Sequence, residues 1–403
     1  MRKPLLPVTI VLMLVVLVAV VLASARRASA IPTFSREHGL KCSDCHAAFP
    51  LLNEFGMEFK QRGFRLPGEN GKYPWELKSL PVSVIGTMQY LNAHQDDPVT
   101  KARLSTTSEA QIGEVELMAA GTAAPKVGFL AEFAQNVAER GPFSNEQIWM
   151  QFSDIIPASV LNARAGQMLN EHYYLSQKRR LTFQQYLAPV TFNVTGAELN
   201  GFWSGFRYAA GIVNDEREEG TNPPAVNLNT KLQGFYAWGS KTLWDHIIGI
   251  RYINTKANSD QPSPIIDGRT RQQLDATLNL RFGRGQVLLG YYYNWDIGGV
   301  YKQDRRNYLV EGILEVIPEK LFLDARYEMQ DTGSVAGSPN NPTTANGTLV
   351  TGHISYYVVE NVRVTAEFTK VRGEGLNVLG IGEPNSVASS SQERYLLGLH
   401  FAF

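Results

Sequence analysis

From residue 81 to its end, the chain repeats segments of about ten residues in which apolar and polar side chains alternate. In segment 321–329, Leu323 and Tyr327 lie on one side of an extended chain, while Asp324 and Arg326 lie on the other. Successive side chains of a β-strand point to opposite faces of the sheet. The alternation therefore predicts an all-β fold, and 35 glycines with 10% aromatic residues fit many strands and turns.

The connections between these strands alternate in length. Short connections at 123–126, 283–285, 318–320 and 360–361 occur among long polar ones at 92–107, 170–189, 215–226, 255–269, 331–346 and 372–391. Short turns at one rim and long loops at the other are typical of outer-membrane barrels. Counting hairpins in this way predicts a transmembrane antiparallel β-barrel of about 16 strands over residues 81–403. The alternative is a soluble β-domain, in which the apolar faces would point inward.

A barrel of this size has a polar lumen, and aromatic residues near its strand ends lie at the membrane interfaces. The charges predicted to line the lumen are Glu114, Glu116, Glu132, Arg281, Arg326, Glu328, Arg363 and Glu367. The predicted interface aromatics are Trp149, Trp203, Trp244, Tyr291, Tyr293 and Trp295. The acidic run at 215–219 is predicted to lie in an external loop, where it attracts cations or is an ordinary solvated loop.

Residues 1–30 are predicted to be a signal peptide and do not enter the fold. Arg2 and Lys3 precede an apolar run at 5–22, and small residues at 28–30 end the segment in the style of a cleavage site. Because the apolar run is long, an uncleaved anchor is the alternative. Export together with a barrel predicts the outer membrane of a Gram-negative bacterium. The balance of 38 basic and 38 acidic residues gives no indication of nucleic-acid binding.

The stretch 41–46, which precedes the predicted strands, has the C-x-x-C-H spacing of a c-type haem attachment site. Cys42 and Cys45, the only two cysteines of the chain, lie three residues apart, as one helical turn requires. Their thiols can add across the two vinyl groups of a haem, and His46 then supplies the proximal ligand of the iron. The motif predicts one covalent haem c. It also agrees with export, because c-type haem is attached outside the cytoplasmic membrane.

Three other uses of the two cysteines are possible. A disulfide between them and a thioredoxin-like redox pair both fit the spacing, but a thioredoxin motif belongs in an α/β pattern, which the chain lacks. Half a zinc site would need two more ligands at suitable spacing, and the sequence contains no second C-x-x-C and no H-x-x-x-H. The haem interpretation is therefore favoured.

Residues 31–80 are predicted to form a small α-helical monohaem cytochrome module. Apolar residues at helical spacing predict a helix after Pro50, and Gly63 is placed to end it. So short a segment cannot bury a core of its own, and a haem would act as its staple. Met57 or His400 is the candidate distal iron ligand; the alternatives are that Met57 is plain core and that His400 is a solvated lumenal histidine, as His353 would be.

The two halves together resemble the fused monohaem cytochrome–porins, a family of bacterial outer-membrane iron(II) oxidases. The resemblance rests on the residues Pro32-Thr33-Phe34, Gly39, Cys42-Ser43-Asp44-Cys45-His46, Pro50, Leu52-Asn53, Phe55-Gly56, Phe59-Lys60 and Gly63-Phe64. Beyond residue 81 only the architecture is similar. After Phe55-Gly56 this chain has Met57-Glu58, where the family commonly has a basic or polar residue followed by alanine, and this departure leaves the distal ligand open.

The resemblance implies oxidation of extracellular Fe(II), or of another external redox partner, with electrons passed to a periplasmic c-type cytochrome. In this interpretation the protein is an iron(II)-oxidising outer-membrane enzyme in contact with lipid, and its haem lies on the periplasmic side or inside the lumen. The same parts would also serve electron flow outward to an external acceptor. The other alternative is a porin for small solutes in which the haem module is a structural plug.

Overall fold

The computed structural model describes residues 33–97, 99–137, 143–172, 174–218, 234–257, 269–297, 304–332, 346–373 and 390–403. The predicted signal peptide at 1–30, and its alternative as an anchor, lie outside these residues. None of the described helices is both long and apolar enough to cross a membrane.

Most of the described chain forms a closed antiparallel barrel of sixteen strands, β3 to β18, which confirms the predicted architecture and strand number. The strands are β3 (Val82–Asp96), β4 (Arg103–Ala124), β5 (Val127–Asn136), β6 (Ser144–Ile156), β7 (Leu161–Glu171), β8 (Thr191–Trp203), β9 (Phe206–Glu218), β10 (Gly234–Leu243), β11 (His246–Ala257), β12 (Arg269–Phe282), β13 (Gly285–Ile297), β14 (Asp304–Ile317), β15 (Leu321–Thr332), β16 (Gly347–Val359), β17 (Val362–Gly373) and β18 (Ser390–Ala402). Each pairs with its neighbours in the chain, and β18 closes the barrel on β3, with Leu399 opposite Met88. Closure leaves no edge strand, as lipid requires.

The barrel has its polar face inside and its apolar face outside. Along β15, Asp324, Arg326 and Glu328 are buried in the lumen, whereas Leu323 and Tyr327 are 40% and 46% exposed on the outer surface. An apolar outer band facing a polar interior is the arrangement of a transmembrane barrel. It is the reverse of the soluble β-domain, and that alternative is wrong.

Short turns join the strands at one end of the barrel, here called the turn end, and longer connections lie at the other, the loop end. Two predicted loops are shorter than expected, because the strands extend into them. The predicted loop at 92–107 is reduced to 97–102, and the acidic residues 215–218 continue the backbone of β9. The external-loop prediction for the acidic run is therefore wrong for these four residues, and residue 219 lies outside the described part.

Residues 33–80, here called the plug, precede the barrel. They contain helices α1 (Thr33–His38), α2 (Cys42–Cys45) and α3 (Glu54–Gln61), the short strands β1 (His46–Ala48) and β2 (Leu51–Leu52), and a 3-10 turn (Pro74–Glu76). The helix predicted after Pro50 begins only at Glu54, because residues 51–52 pair with β1 and Asn53 caps the helix by accepting from Gly56 N at 2.9 Å. Gly63 follows α3 with φ +69°, a conformation suited to glycine, as predicted for the end of this helix.

The plug lies inside the barrel at the turn end. The Gln61 side chain donates to Gly201 O at 2.7 Å, and Gln151 of β6 donates to Gln61 O at the same distance. Gly63 and Gly128 of β5 meet so closely that a Cβ on Gly128 would lie 2.7 Å from Gly63 Cα. Only glycine permits this approach of two backbones, so the plug and the barrel wall are closely packed here.

The connection between β7 and β8, described at residue 172 and at 174–190, also enters the lumen, and we call these residues the lumenal loop. Its prediction as an external polar loop is wrong: Leu175, Leu181 and Ala188 are completely buried. They share one apolar cluster with Ala48, Leu51 and Met57 of the plug and with wall residues such as Tyr292 and Phe322. Burial of apolar surface between these segments is the driving force that holds the loop inside.

Buried polar contacts hold the lumenal loop against the wall. Arg251 of β11 forms an ion pair with Asp275 at 2.5 Å and donates to Asn170 O and Val190 O, each at 2.9 Å. His172 lies 3.2 Å from the same Asp275 carboxylate. These contacts fix both ends of the loop, since charged groups buried in a protein must be paired and hydrogen-bonded.

The plug is also bound to the wall by an ion-pair group at the turn end. The Arg207 guanidinium, 1% exposed, lies 2.8 Å from a carboxylate oxygen of both Glu54 and Glu58 on α3. Replacing both with glutamine removes these two ion pairs of the buried cation and is expected to weaken plug docking by about 1–3 kcal/mol. Limited proteolysis of the folded barrel should then cut the plug faster than in the wild type. Glu319→Gln, on an exposed turn, is the control, and equal cleavage of all three proteins would contradict the prediction.

Candidate haem site at the mouth of the barrel

The C-x-x-C-H motif lies in the plug, against the turn end of the barrel. Cys42 and Cys45 are the first and last residues of α2, so both thiols are on one helical turn, and both are free cysteines. The Cys42 backbone N–H donates to the Glu360 carboxylate in the turn between β16 and β17, at 3.1 Å. This contact joins residues 318 positions apart and places the motif beside the wall.

Asn53 and Gly56 position the motif from the other side. The Asn53 side-chain amide donates to Ser43 O at 3.2 Å and Asp44 O at 2.9 Å, and its backbone N–H donates to Cys45 O at 3.0 Å. Gly56 lies so close that a Cβ there would be 2.9 Å from the Cys45 carbonyl carbon. Asn53 and Gly56 thus hold the backbone of the motif itself.

His46 has the hydrogen bonding of a metal-ligating histidine. Its Nδ1 lies 3.2 Å from Pro50 O, and because a carbonyl only accepts, Nδ1 carries the proton and Nε2 keeps its lone pair. Burial lowers the pKa of His46 to about 4, so the ring is neutral at physiological pH. A neutral imidazole with its second nitrogen bound to a backbone carbonyl is the form that binds iron.

The two thiols are neutral as well. Burial, with a smaller contribution from the Glu360 carboxylate, raises the pKa of Cys42 to about 12. Burial, with Asp44, raises the pKa of Cys45 to about 11. The donor set of two unpaired thiols on one turn and one correctly protonated histidine fits a covalent haem c.

The two candidate distal ligands differ in their surroundings. Met57, on α3, is buried in the apolar cluster with Ala48 and Leu51, where it serves as core. His400 Nδ1 accepts from the Arg363 guanidinium at 3.0 Å, so its proton is on Nε2, opposite to the tautomer of His46. That tautomer offers iron no lone pair from Nε2. His353 binds Glu367 and Ser355 through its two nitrogens.

The charged side chains predicted for the lumen do face it. Glu132, Arg326, Glu328, Arg363 and Glu367 are all less than one-tenth exposed, Glu114 and Glu116 form ion pairs with Lys178, and Arg281 lies 3.5 Å from Glu54 of the plug. Among the residues that the structure describes, no group of three or more His, Cys, Asp and Glu is arranged to hold a metal ion.

Sequence reasoning missed the basic run Lys178-Arg179-Arg180, which the lumenal loop carries into the barrel. Lys178 contacts Glu114, Glu116 and Glu146 at 2.9, 3.2 and 2.8 Å. The Arg179 guanidinium is close enough to His46 to contribute to the lowering of its pKa. The signal available was three consecutive cations in a connection whose other residues are unusually apolar for a solvated loop.

One predicted interface aromatic faces the other way. Trp149 is 2% exposed and stacks on Phe64 of the plug at 5.5 Å, so its assignment to a membrane girdle is wrong. Trp203 and Trp244, at the turn end, are 68% and 89% exposed, as an interface position requires. Trp149 lies on the lumenal face of β6, where Phe64 of the plug gives its ring an aromatic partner.

Comparison with protein-family models and with curated proteins gives no match. Among solved structures, the chain is similar to the outer membrane channel DcaP of Acinetobacter baumannii, with a TM-score of 0.55, 10% identity, and coverage of 80% of this chain and 97% of that one. OmpF of Salmonella typhi has a TM-score of 0.51 and 10% identity, with coverage of 80% of this chain and 97% of that one. The trimer form of OmpT of Vibrio cholerae has a TM-score of 0.50 and 14% identity, with coverage of 80% of this chain and 99% of that one. The fold is that of a porin-like outer-membrane barrel.

Proposed function

We propose that this chain is an electron-transfer protein of the outer membrane of a Gram-negative bacterium, with one covalent haem c held at the mouth of a porin-like barrel. We further propose that it oxidises extracellular Fe(II) and passes the electrons to a periplasmic c-type cytochrome. The observation that carries the proposal is His46 in the plug, with Nδ1 bound to Pro50 O, directly after two free thiols on one helical turn.

Cys42 and Cys45 would hold the haem by thioethers and His46 would bind its iron. Bound there, the haem supplies a one-electron couple. The chain's own residues exclude water and orient the site: Ala48 and Leu51 belong to the apolar cluster beside the motif, and Asn53 holds the backbone of α2. Burial and hydrogen bonding around a haem are the means by which a protein sets its reduction potential.

The placement of the plug supports transfer across the membrane. Short turns of outer-membrane barrels lie on the periplasmic side, so the turn end with the plug would face a periplasmic partner. The lumenal loop extends from the loop end down to the plug, and both share one apolar cluster. Each Fe(II) would lose one electron to become Fe(III), and the periplasmic cytochrome would take up that electron.

A porin for small solutes, with the haem as a structural plug, is the second candidate, and the solved structures that the chain resembles favour it. Against it stands the lumen, where plug and lumenal loop pack together around Leu51, Met57 and Leu175. Swelling of liposomes that contain the purified protein, without reduction of its haem by Fe(II), would support the porin.

Outward electron flow needs the same residues, and the relative potentials of the two partners would decide the direction of that flow.

Mixing the purified ferric protein anaerobically with Fe(II) in a stopped-flow instrument is expected to reduce its haem within seconds, because the proposed donor reacts at this centre. The measurement is the appearance of the sharp α band of ferrous haem c. Zn(II), a cation of the same charge without a redox step, is the control and should give no change. A haem that dithionite reduces at once but Fe(II) leaves oxidised for minutes would exclude iron oxidation.

A further inference from the structure

Arg363 of β17 is a buried cation that lacks a carboxylate partner among the described residues. It is 3% exposed and donates to His400 Nδ1 at 3.0 Å and to Ser355 Oγ at 3.5 Å, both of which are neutral acceptors. The other buried lumenal arginines have carboxylates at hand, as Arg251 has Asp275 and Arg326 has Glu328. A guanidinium removed from water without a counter-ion is costly, so an anion is expected at this position.

His400 of β18 is the second unsatisfied group. Because Nδ1 accepts from Arg363, the ring proton is on Nε2, and Nε2 has no hydrogen-bond partner in the part of the chain that the structure describes. The residue is 9% exposed. A buried N–H without an acceptor is destabilising, which indicates that an acceptor belongs here.

Both groups lie next to the haem motif. The His400 ring contacts Phe49 edge-on at 5.3 Å, and Phe49 contacts His46 at 5.1 Å. Tyr357 donates to Phe49 O at 2.5 Å and so holds this part of the plug against the wall. Two ring contacts therefore separate the unsatisfied donors from the proximal histidine, a separation that a porphyrin can span.

The lumenal loop adds positive charge on the same side. Arg179 acts electrostatically on His46, and Arg180 acts on His400. Arg180 is held by hydrogen bonds to Phe183 O at 3.0 Å and Gln184 O at 3.1 Å, within its own loop. The region between the motif and the wall is thus rich in cations and N–H donors.

The ligand that matches these donors is a carboxylate, since guanidinium and carboxylate form charge-assisted hydrogen bonds of matching geometry. A haem c carries two such groups, its propionates. We propose that Arg363 and His400 receive a propionate of the haem, with Arg179 and Arg180 adding to the positive field. This inference rests on the proposed covalent haem, and it makes His400 a positioning residue instead of an iron ligand.

The test is spectroelectrochemical titration of the full-length haem-loaded protein and of its Arg363→Gln variant. Loss of a cation beside the haem stabilises the oxidised iron more than the reduced iron, because the oxidised iron carries one more positive charge. The variant is therefore expected to shift the redox equilibrium at least tenfold towards ferric haem, which is 59 mV for one electron. Arg363→Lys should shift it less. The matched control is Arg164→Gln, a lumenal arginine that lies over the Trp149 ring, and it should leave the potential unchanged.

The His400→Gln variant distinguishes His400 as a donor to the propionate from His400 as an iron ligand. It also tests the inference if Arg363→Gln fails to fold. We expect its ferric spin state, measured by electron paramagnetic resonance, to stay that of the wild type while the potential falls. A change to high-spin iron would make His400 a distal ligand and overturn the inference.

Two further results would also overturn it. One is equal potentials in Arg363→Gln and Arg164→Gln. The other is a saturable shift of the wild-type potential on adding acetate, which would assign the donors to a free carboxylate. A wild-type protein without a covalent haem spectrum would instead refute the proposed function, so the two failures are distinguishable.

Discussion

Replacing Cys42 and Cys45 together by alanine is expected to remove all covalent haem from the protein and to leave the barrel folded. The thioethers can form only at these two sulfur atoms, because the chain has no other cysteine. The barrel should not need the haem, since its sixteen strands close on themselves and the plug is held by the wall through contacts such as Gln61 to Gly201. A haem-stained denaturing gel and the pyridine haemochrome spectrum measure the loss, and heat-modifiable migration reports the folded barrel.

Ser43→Ala is the control for this experiment. Ser43 lies between the two cysteines, and in the structure its backbone carbonyl, not its hydroxyl, receives the Asn53 amide. Haem staining of this variant should equal that of the wild type. Covalent haem that persisted in the double cysteine variant would contradict the assignment of the motif.

Replacing Gly56 by alanine is expected to lower haem occupancy about tenfold. The added methyl group would overlap the Cys45 carbonyl oxygen and lie 2.9 Å from the carbonyl carbon and 3.0 Å from Leu52 Cδ2. Since the obstacle is backbone, α3 must move away from the motif, and overpacking of this kind costs about 1–3 kcal/mol. The displaced helix would no longer hold Asn53 against Ser43 O and Asp44 O. The ratio of haem to protein absorbance measures the effect.

Gly312→Ala is the matched control, because a Cβ at Gly312 in β14 would meet nothing within 4 Å. The same exchange of hydrogen for methyl should there leave haem occupancy unchanged. Full occupancy in Gly56→Ala would show that α3 does not position the motif.

The sequence by itself was enough for the barrel, and it predicts a chemistry for the motif. Alternation such as Leu323, Asp324, Ala325 and Arg326 defines which side chains share a face, because a strand has a period of two. Turn spacing then defined the number of strands. Cys42, Cys45 and His46 are adjacent in the chain, so their chemistry could be predicted without a tertiary structure.

Only the tertiary structure decided what fills the lumen. Periodicity assigns a side chain to a face but does not say what packs against that face, so the inward course of the lumenal loop and the burial of Trp149 were missed. The contacts that complete the site join distant positions, as between Cys42 and Glu360 or Phe49 and Tyr357. The tautomer of His400 likewise depends on Arg363, a residue on another strand, because a ring proton is placed by its hydrogen-bond partner and not by local sequence.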